Sequence, residues 1–148
     1  GHARVVADDL HFPNGTVITP DGRTLIVGES FGARLTAFDV AADGSLRRRR
    51  TWAQLKGATP DGICLDAEGA MWVASPISRE VLRVHAGGEV THRIPTEAQA
   101  VACMLGGPRR RTLYVLTGKV MTTPEASRSA MSGRIYTVEV EVPGVGLP

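Results

Sequence analysis

Two short segments carry side chains suited to holding a hard cation. Phe12-Pro13-Asn14-Gly15 and Thr59-Pro60-Asp61-Gly62 set Asn14 and Asp61 47 positions apart. An amide oxygen and a carboxylate oxygen are the donors that Ca²⁺, Mg²⁺ and other hard divalent ions take. The same dipeptides have a plainer meaning, because Asn-Gly and Asp-Gly are favoured hairpin turns. On spacing alone both readings stand.

Other constellations are weaker. Gly28-Glu29-Ser30-Phe31-Gly32 has the Gly-x-Ser-x-Gly form of a nucleophile elbow, which requires a strand leading into a helix. The next segment, Arg34 to Val40, alternates like a strand, so the Gly28–Gly32 stretch is expected to be a loop with Glu29 and Ser30 at a channel rim. Asn14-Gly15-Thr16 fits a glycosylation sequon, and Asp39 to Gly44 fits a hairpin turn better than a calcium loop. His11 lies close enough in sequence to Asn14 to approach a metal site, but a structural role is the expectation. Cys64 and Cys103 sit in apolar runs and are expected as buried thiols, although a disulfide stays open.

The elements that must position Asn14 and Asp61 are strands. Apolar strands centred on Ile26, Trp72 and Tyr114 recur at spacings of 46 and 42 residues, the period of a four-stranded propeller blade. Periodicity within each unit is two, which excludes a helical solenoid. Strands are expected at Arg4–Ala7, Gly15–Thr19, Thr24–Glu29, Arg34–Val40, Leu46–Ala53, Gly62–Asp66, Ala70–Ala74, Glu80–Val84, Glu89–Ile94, Ala100–Leu105, Thr112–Thr117 and Arg134–Glu141. Turns such as Pro20-Asp21-Gly22, Glu68-Gly69 and Gly87-Gly88 separate them. Helix is nearly absent, with one turn conceivable over Glu97–Ala102 and a mobile loop expected over 118–132. The fold class is therefore all-β, a β-propeller of about three four-stranded blades from a six-bladed ring. It is expected as a single partial propeller domain over 1–148, with blades near 15–53, 62–94 and 100–141. The N-terminal strand at 4–7 would complete the last blade.

Bulk properties narrow the class. The 148 residues are 43% hydrophobic and carry a formal charge of +2. The arginines cluster at Arg47–Arg50 and Arg109–Arg111 with no interleaved aromatic residues, so a nucleic-acid partner is not expected. No stretch is long and apolar enough to span a bilayer, so no membrane partner is expected. No signal peptide is visible, and a cytoplasmic location is the expectation.

The motifs together resemble the C-terminal half of the gluconolactonase/regucalcin family, which includes senescence marker protein and the luciferin-regenerating enzyme. Phe12-Pro13-Asn14-Gly15 with Thr19-Pro20-Asp21-Gly22 is similar to that family's Pro-Asn-Gly strand and the hairpin after it. Pro60-Asp61-Gly62-Ile63-Cys64-Leu65-Asp66-Ala67-Glu68-Gly69 with Trp72 resembles its most recognisable stretch, and Gly106-Gly107-Pro108 with Thr112 to Val115 its next blade. The resemblance implies a metal-dependent hydrolase of sugar lactones or similar cyclic esters. It implies Asn14 and Asp61 as metal ligands and Asp61 also as the catalytic general base. The cofactor implied is one divalent metal ion, among Ca, Zn, Mg and Mn. In such chemistry the ion polarises the lactone carbonyl and the carboxylate takes a proton from water.

The family's third ligand, an N-terminal Glu, and its substrate-contacting Arg, Asn and Glu have no counterpart here. The family often carries a polar residue just before the run that Cys103-Met104-Leu105-Gly106-Gly107 resembles, and the matching place here is Val101-Ala102. Three blades leave open edges, so either a homodimer completes a six-bladed ring or an N-terminal half belongs in front. The alternatives from other classes are a catalytically silent binding or scaffold propeller and a strictosidine synthase-like propeller.

Overall fold

A computed structural model describes residues 1–145; the final three positions of the expected domain lie outside the described residues. Eleven strands and one short helix run in order: β1 (Pro13–Ile18), β2 (Thr24–Glu29), β3 (Arg34–Val40), β4 (Leu46–Gln54), β5 (Ile63–Leu65), β6 (Met71–Ser75), β7 (Glu80–Val84), β8 (Val90–Pro95), β9 (Gln99–Gly106), β10 (Thr112–Gly118), α1 (Pro124–Ala130) and β11 (Arg134–Glu139). They form three antiparallel meanders: β1-β2-β3-β4, β5-β6-β7-β8 and β9-β10-β11. These are blades 1, 2 and 3 of a propeller.

The blades are held by the faces of their middle strands. Ile26, Leu35, Ala37 and Ala53 of blade 1 pack on Ile63, Leu65, Met71, Val73, Leu82 and Val84 of blade 2. On the opposite face, Trp72, Ala74 and Val81 of blade 2 pack on Ala100, Cys103, Leu113 and Val115 of blade 3. Odd and even positions of β6 therefore serve different blades, and all five of its residues are buried. That is why Met71 to Ala74 is an unbroken apolar run, where a sheet with one wet face would alternate. The outermost strand β4 is exposed along Arg47–Thr51, and there the sequence supplies arginine.

Several expectations fail, at the N-terminal segment and within blade 3. Residues 4–7 make no strand. The N-terminal segment lies instead over blade 1, held by side chains: Arg49 donates to the Asp8 and Asp9 carbonyls at 3.0 and 2.8 Å. Backbone bonds to the β2–β3 loop begin only at His11 and Phe12, which accept from the Phe31 and Ser30 N–H groups, so residues 4–7 join no ladder. Blade 3 accordingly stays three-stranded among the described residues. The expected helical turn at Glu97–Ala102 is absent, because Gln99 already belongs to β9. Helix α1 lies within 118–132, expected as loop. Thr123 caps it by accepting from the Ala126 N–H, Pro124 opens it, and Glu125 stands in its first turn. Each of those is a helix-start signal.

Candidate functional site

Asn14 and Asp61 occupy equivalent places at the start of the innermost strands of blades 1 and 2. The Gly15 N–H donates to the Asp61 carbonyl at 3.0 Å, and the Gly62 N–H donates to the Val101 carbonyl at 3.0 Å. The same bond thus repeats from blade to blade, and it aligns Asn14, Asp61 and Val101 as successive positions around the axis. Two of the three carry oxygen donors.

The glycines explain why these segments are not turns. Neither Gly15 nor Gly62 has the positive φ that seven other glycines adopt. Their requirement is closeness: a Cβ on Gly15 would stand 2.3 Å from the Asp61 carbonyl oxygen, and one on Gly62 would stand 2.7 Å from the Ala102 Cα. Neighbouring innermost strands approach so tightly only where one residue lacks a side chain. The turn reading of Asn14-Gly15 and Asp61-Gly62 is thereby replaced by an inter-blade contact.

The side chains meet on the wet side of that contact. Asn14 is exposed and Asp61 half-buried. The Asn14 Nδ2 reaches Ser30 Oγ at 3.4 Å, and the Ser30 hydroxyl donates to the Pro60 carbonyl at 2.6 Å. Ser30 therefore ties the β2–β3 loop to the residue preceding Asp61. Burial pushes the Asp61 carboxyl above its ordinary value, against a hydrogen bond from the Asn14 side chain that pulls it down. No Arg or Lys pairs with Asp61 among the described residues. A desolvated acid without a cation partner, beside an amide, is what a bound divalent ion would satisfy. The donors fit such an ion in kind, as two oxygens of the six to eight that Ca²⁺ takes. No cluster of three or more His, Cys, Asp or Glu occurs among the described residues.

The remaining candidates have structural roles. Glu29 is not at a rim: it is fully buried, gripped by Arg34 through two bonds of 2.9 Å, by the Thr36 hydroxyl and by the His11 N–H at 2.7 Å. Burial acts to raise its carboxyl, but these donors, Arg34 first, outweigh it and bring it down to about 2. His11 acts through its backbone. Ser30 lies in a turn that leads into strand β3, which removes the nucleophile-elbow geometry. Arg48 and Arg50 share the single carboxylate of Asp39 and Arg49 stands 3.5 Å from Glu29, so three of the four arginines of the run have acidic partners within blade 1. Sequence reasoning missed the Ser30–Pro60 link, because its signal is spatial and 30 residues long.

Comparison with known proteins places the chain. Residues 1–119 match the model of the SMP-30/Gluconolactonase/LRE-like region. Among curated proteins, a 6-deoxy-6-sulfogluconolactonase of Pseudomonas putida is 29% identical over 99% of this chain and 52% of its own length. Regucalcin of Xenopus laevis is 30% identical over 88% of this chain and 46% of its own length. The chain thus spans about half the length of the curated relatives it matches. Among solved structures, a gluconolactonase of Xanthomonas campestris superposes with a TM-score of 0.64 at 32% identity, over 75% of this chain and 36% of that one. A calcium-binding regucalcin of Agrobacterium tumefaciens superposes at 0.76, over 94% of this chain and 49% of that one; at 23% identity it speaks for the fold. No helix among the described residues is long and apolar enough to cross a membrane.

Proposed function

Since this chain belongs to the SMP-30/gluconolactonase/LRE-like family, we propose that it supplies the Asn14 and Asp61 half of a divalent-cation site in a hydrolase of sugar lactones or similar cyclic esters. The observation that carries the reading is Asp61 itself, a half-buried acid raised by burial, without a cation partner among the described residues, set beside Asn14 from the next blade.

The proposed roles rest on that geometry. Asn14 Oδ1 and an Asp61 carboxylate oxygen would hold the ion. When bound, the ion supplies Lewis-acid polarisation of the ester carbonyl. Asp61 accepts the proton of the attacking water, a task for which a carboxyl raised toward the working pH is better matched than an ordinary one. Ser30 fixes the Pro60 carbonyl and so the entry of the chain into Asp61. Gly15 and Gly62 set the spacing of the two ligand positions.

Two donors make a weak site, and the lactones named for the relatives reach this chain only through that likeness. The ring is completed either by a second copy of the chain or by the other half of a longer protein. Blade 3 bears the exposed residues Met104, Tyr114, Leu116 and Ile135, on the face turned away from blade 2 by register. Light scattering with and without Ca²⁺ separates the two arrangements: a doubling of the 15.7 kDa mass identifies the paired ring. The site is tested by calorimetric Ca²⁺ titration and by release of acid from gluconolactone, with the chain and with Asp61→Asn. Loss of both signals in the variant is expected. Equal titrations and equal rates would sink the assignment.

A further inference from the structure

Cys64 and Cys103 take no part in the site, yet the fold brings them together. Cys64 is the middle residue of β5 and Cys103 lies within β9, so the pair joins the innermost strands of blades 2 and 3. Both side chains are buried and free, with the two Sγ atoms 4.0 Å apart. Trp72, Ala74, Val81, Ala100, Leu113 and Val115 surround them. No His, Asp or Glu completes a metal cluster among the described residues, so zinc chemistry is not supported. The neighbouring Cys64 thiol, together with burial, pushes the Cys103 thiol well above its ordinary range. Cys103 therefore stays protonated and is a poor first nucleophile. Cys64 is also among the residues that line a cleft of about 790 Å³, with Ile63, Leu65 and Met104.

We propose that Cys64 and Cys103 form a reversible disulfide that braces blade 2 against blade 3, with a small peroxide as the oxidant. The Cys64 sulfur attacks one oxygen of hydrogen peroxide, the O–O bond breaks, and one water leaves with a sulfenic acid formed on Cys64. The Cys103 sulfur then attacks that sulfenic sulfur, the S–O bond breaks, and the hydroxyl leaves as a second water with the Cys103 proton. Two thiols are oxidised by two electrons and one peroxide is reduced to two waters. The sulfurs must close from 4.0 Å to about 2.05 Å. The backbones are already fixed side by side, since the Gly62 N–H donates to the Val101 carbonyl two residues from each cysteine. The brace would lock the spacing between Asp61 and Val101 without touching Asn14 or Asp61.

The test treats the whole chain with hydrogen peroxide, unfolds it in iodoacetamide, and maps peptides without reductant. The expected result is a mass lower by two hydrogens, a peptide pair linking Cys64 to Cys103, and an unfolding midpoint higher by roughly 10 °C that returns with dithiothreitol. Cys103→Ala keeps the site apolar and serves as the folded control, expected to show no link and no shift. Two alkylated thiols after peroxide, added oxygen without a linked peptide, or a link that leaves the midpoint unmoved would each overturn the proposal.

Discussion

Glu29, which pairs with Pro13, and Asp61, whose carbonyl accepts from the Gly15 N–H, are acids flanking the start of β1, and the fold treats them in opposite ways. Glu29 is fully buried and surrounded by donors, from Arg34 across the β2–β3 hairpin, from Thr36 on β3, and from the His11 N–H of the N-terminal segment. Its carboxylate is so well solvated by protein that its pKa falls to about 2. Asp61 is less buried, yet its pKa rises, because desolvation is opposed by a single amide. Burial thus does not decide which acid is available for chemistry; the count of donors does. Glu29 is spent on holding blade 1 and the N-terminal segment together. Asp61 keeps unsatisfied lone pairs that face solvent.

The comparison breaks most directly on substitution of each acid. Asp61→Asn keeps the size of the side chain and removes the proposed base and anionic ligand. On the proposed function, lactone hydrolysis by the completed ring should fall by about 10²- to 10⁴-fold. The fold should barely notice. An acid whose folded pKa is raised penalises the folded state above that pKa, so its removal leaves the unfolding midpoint at neutral pH unchanged or slightly higher. A large drop in the midpoint would show that Asp61 is as structural as Glu29. Glu29→Ala has the opposite profile. It leaves Arg34 facing a void and frees the His11 N–H, with an expected loss of about 3–5 kcal/mol in urea unfolding. A loss under about 1 kcal/mol would mean that water enters and replaces the carboxylate.

Acid titration sharpens the same contrast. Glu29 has a folded pKa depressed from 4.5 to about 2. Its contribution is complete above the unfolded value and disappears as pH falls from about 4.5 through about 2. Asp61, shifted upward, works the other way and relaxes its penalty as pH falls through its folded pKa. Wild-type stability should therefore drop over the lower window, and Glu29→Ala should flatten that drop. Parallel curves for the two proteins would assign the acid loss to other carboxylates.

The blades are legible in the sequence because their signals are local. Apolar runs of four to five residues, period-two alternation and Gly-containing turns mark β2, β6 and β10, and the observed strands agree within about two residues at most ends. Asn14 and Asp61 also stand out as a pair, since one blade period separates them. Glu29 is not legible. Its setting comes from Arg34 and Arg49 across the sheet and from His11 on a segment that forms no ladder, while Gly28-Glu29-Ser30-Phe31-Gly32 looks like a catalytic elbow in isolation. The N-terminal strand fails for a related reason. Residues 4–7 have strand-like residue types, but the neighbour on which pairing depends is absent over blade 1. The short helix α1 is marked by Thr123-Pro124-Glu125, and the missing clue there is hydrophobic period, since none of its residues is buried.

The finest version of the comparison lies inside the arginine run of β4. Arg48 and Arg49 are adjacent in sequence, and only one belongs to the Glu29 network. Arg49 stands 3.5 Å from the Glu29 carboxylate, donates to the Asp8 and Asp9 carbonyls and lies over the Phe38 ring at 6.0 Å. Arg48 pairs with Asp39 from a side chain that is 83% exposed. Arg49→Ala should cost about 1–2 kcal/mol, through lost charged hydrogen bonds and the ring contact. Arg48→Ala should cost about 0.5 kcal/mol or less, since water screens an exposed pair. Salt separates them further: about 1 M NaCl should erase the Arg48 effect and leave most of the Arg49 effect. Equal costs for the two, with equal salt dependence, would mean that the N-terminal segment is not held by Arg49 and that Glu29 is sealed by Arg34, Thr36 and the His11 N–H without it.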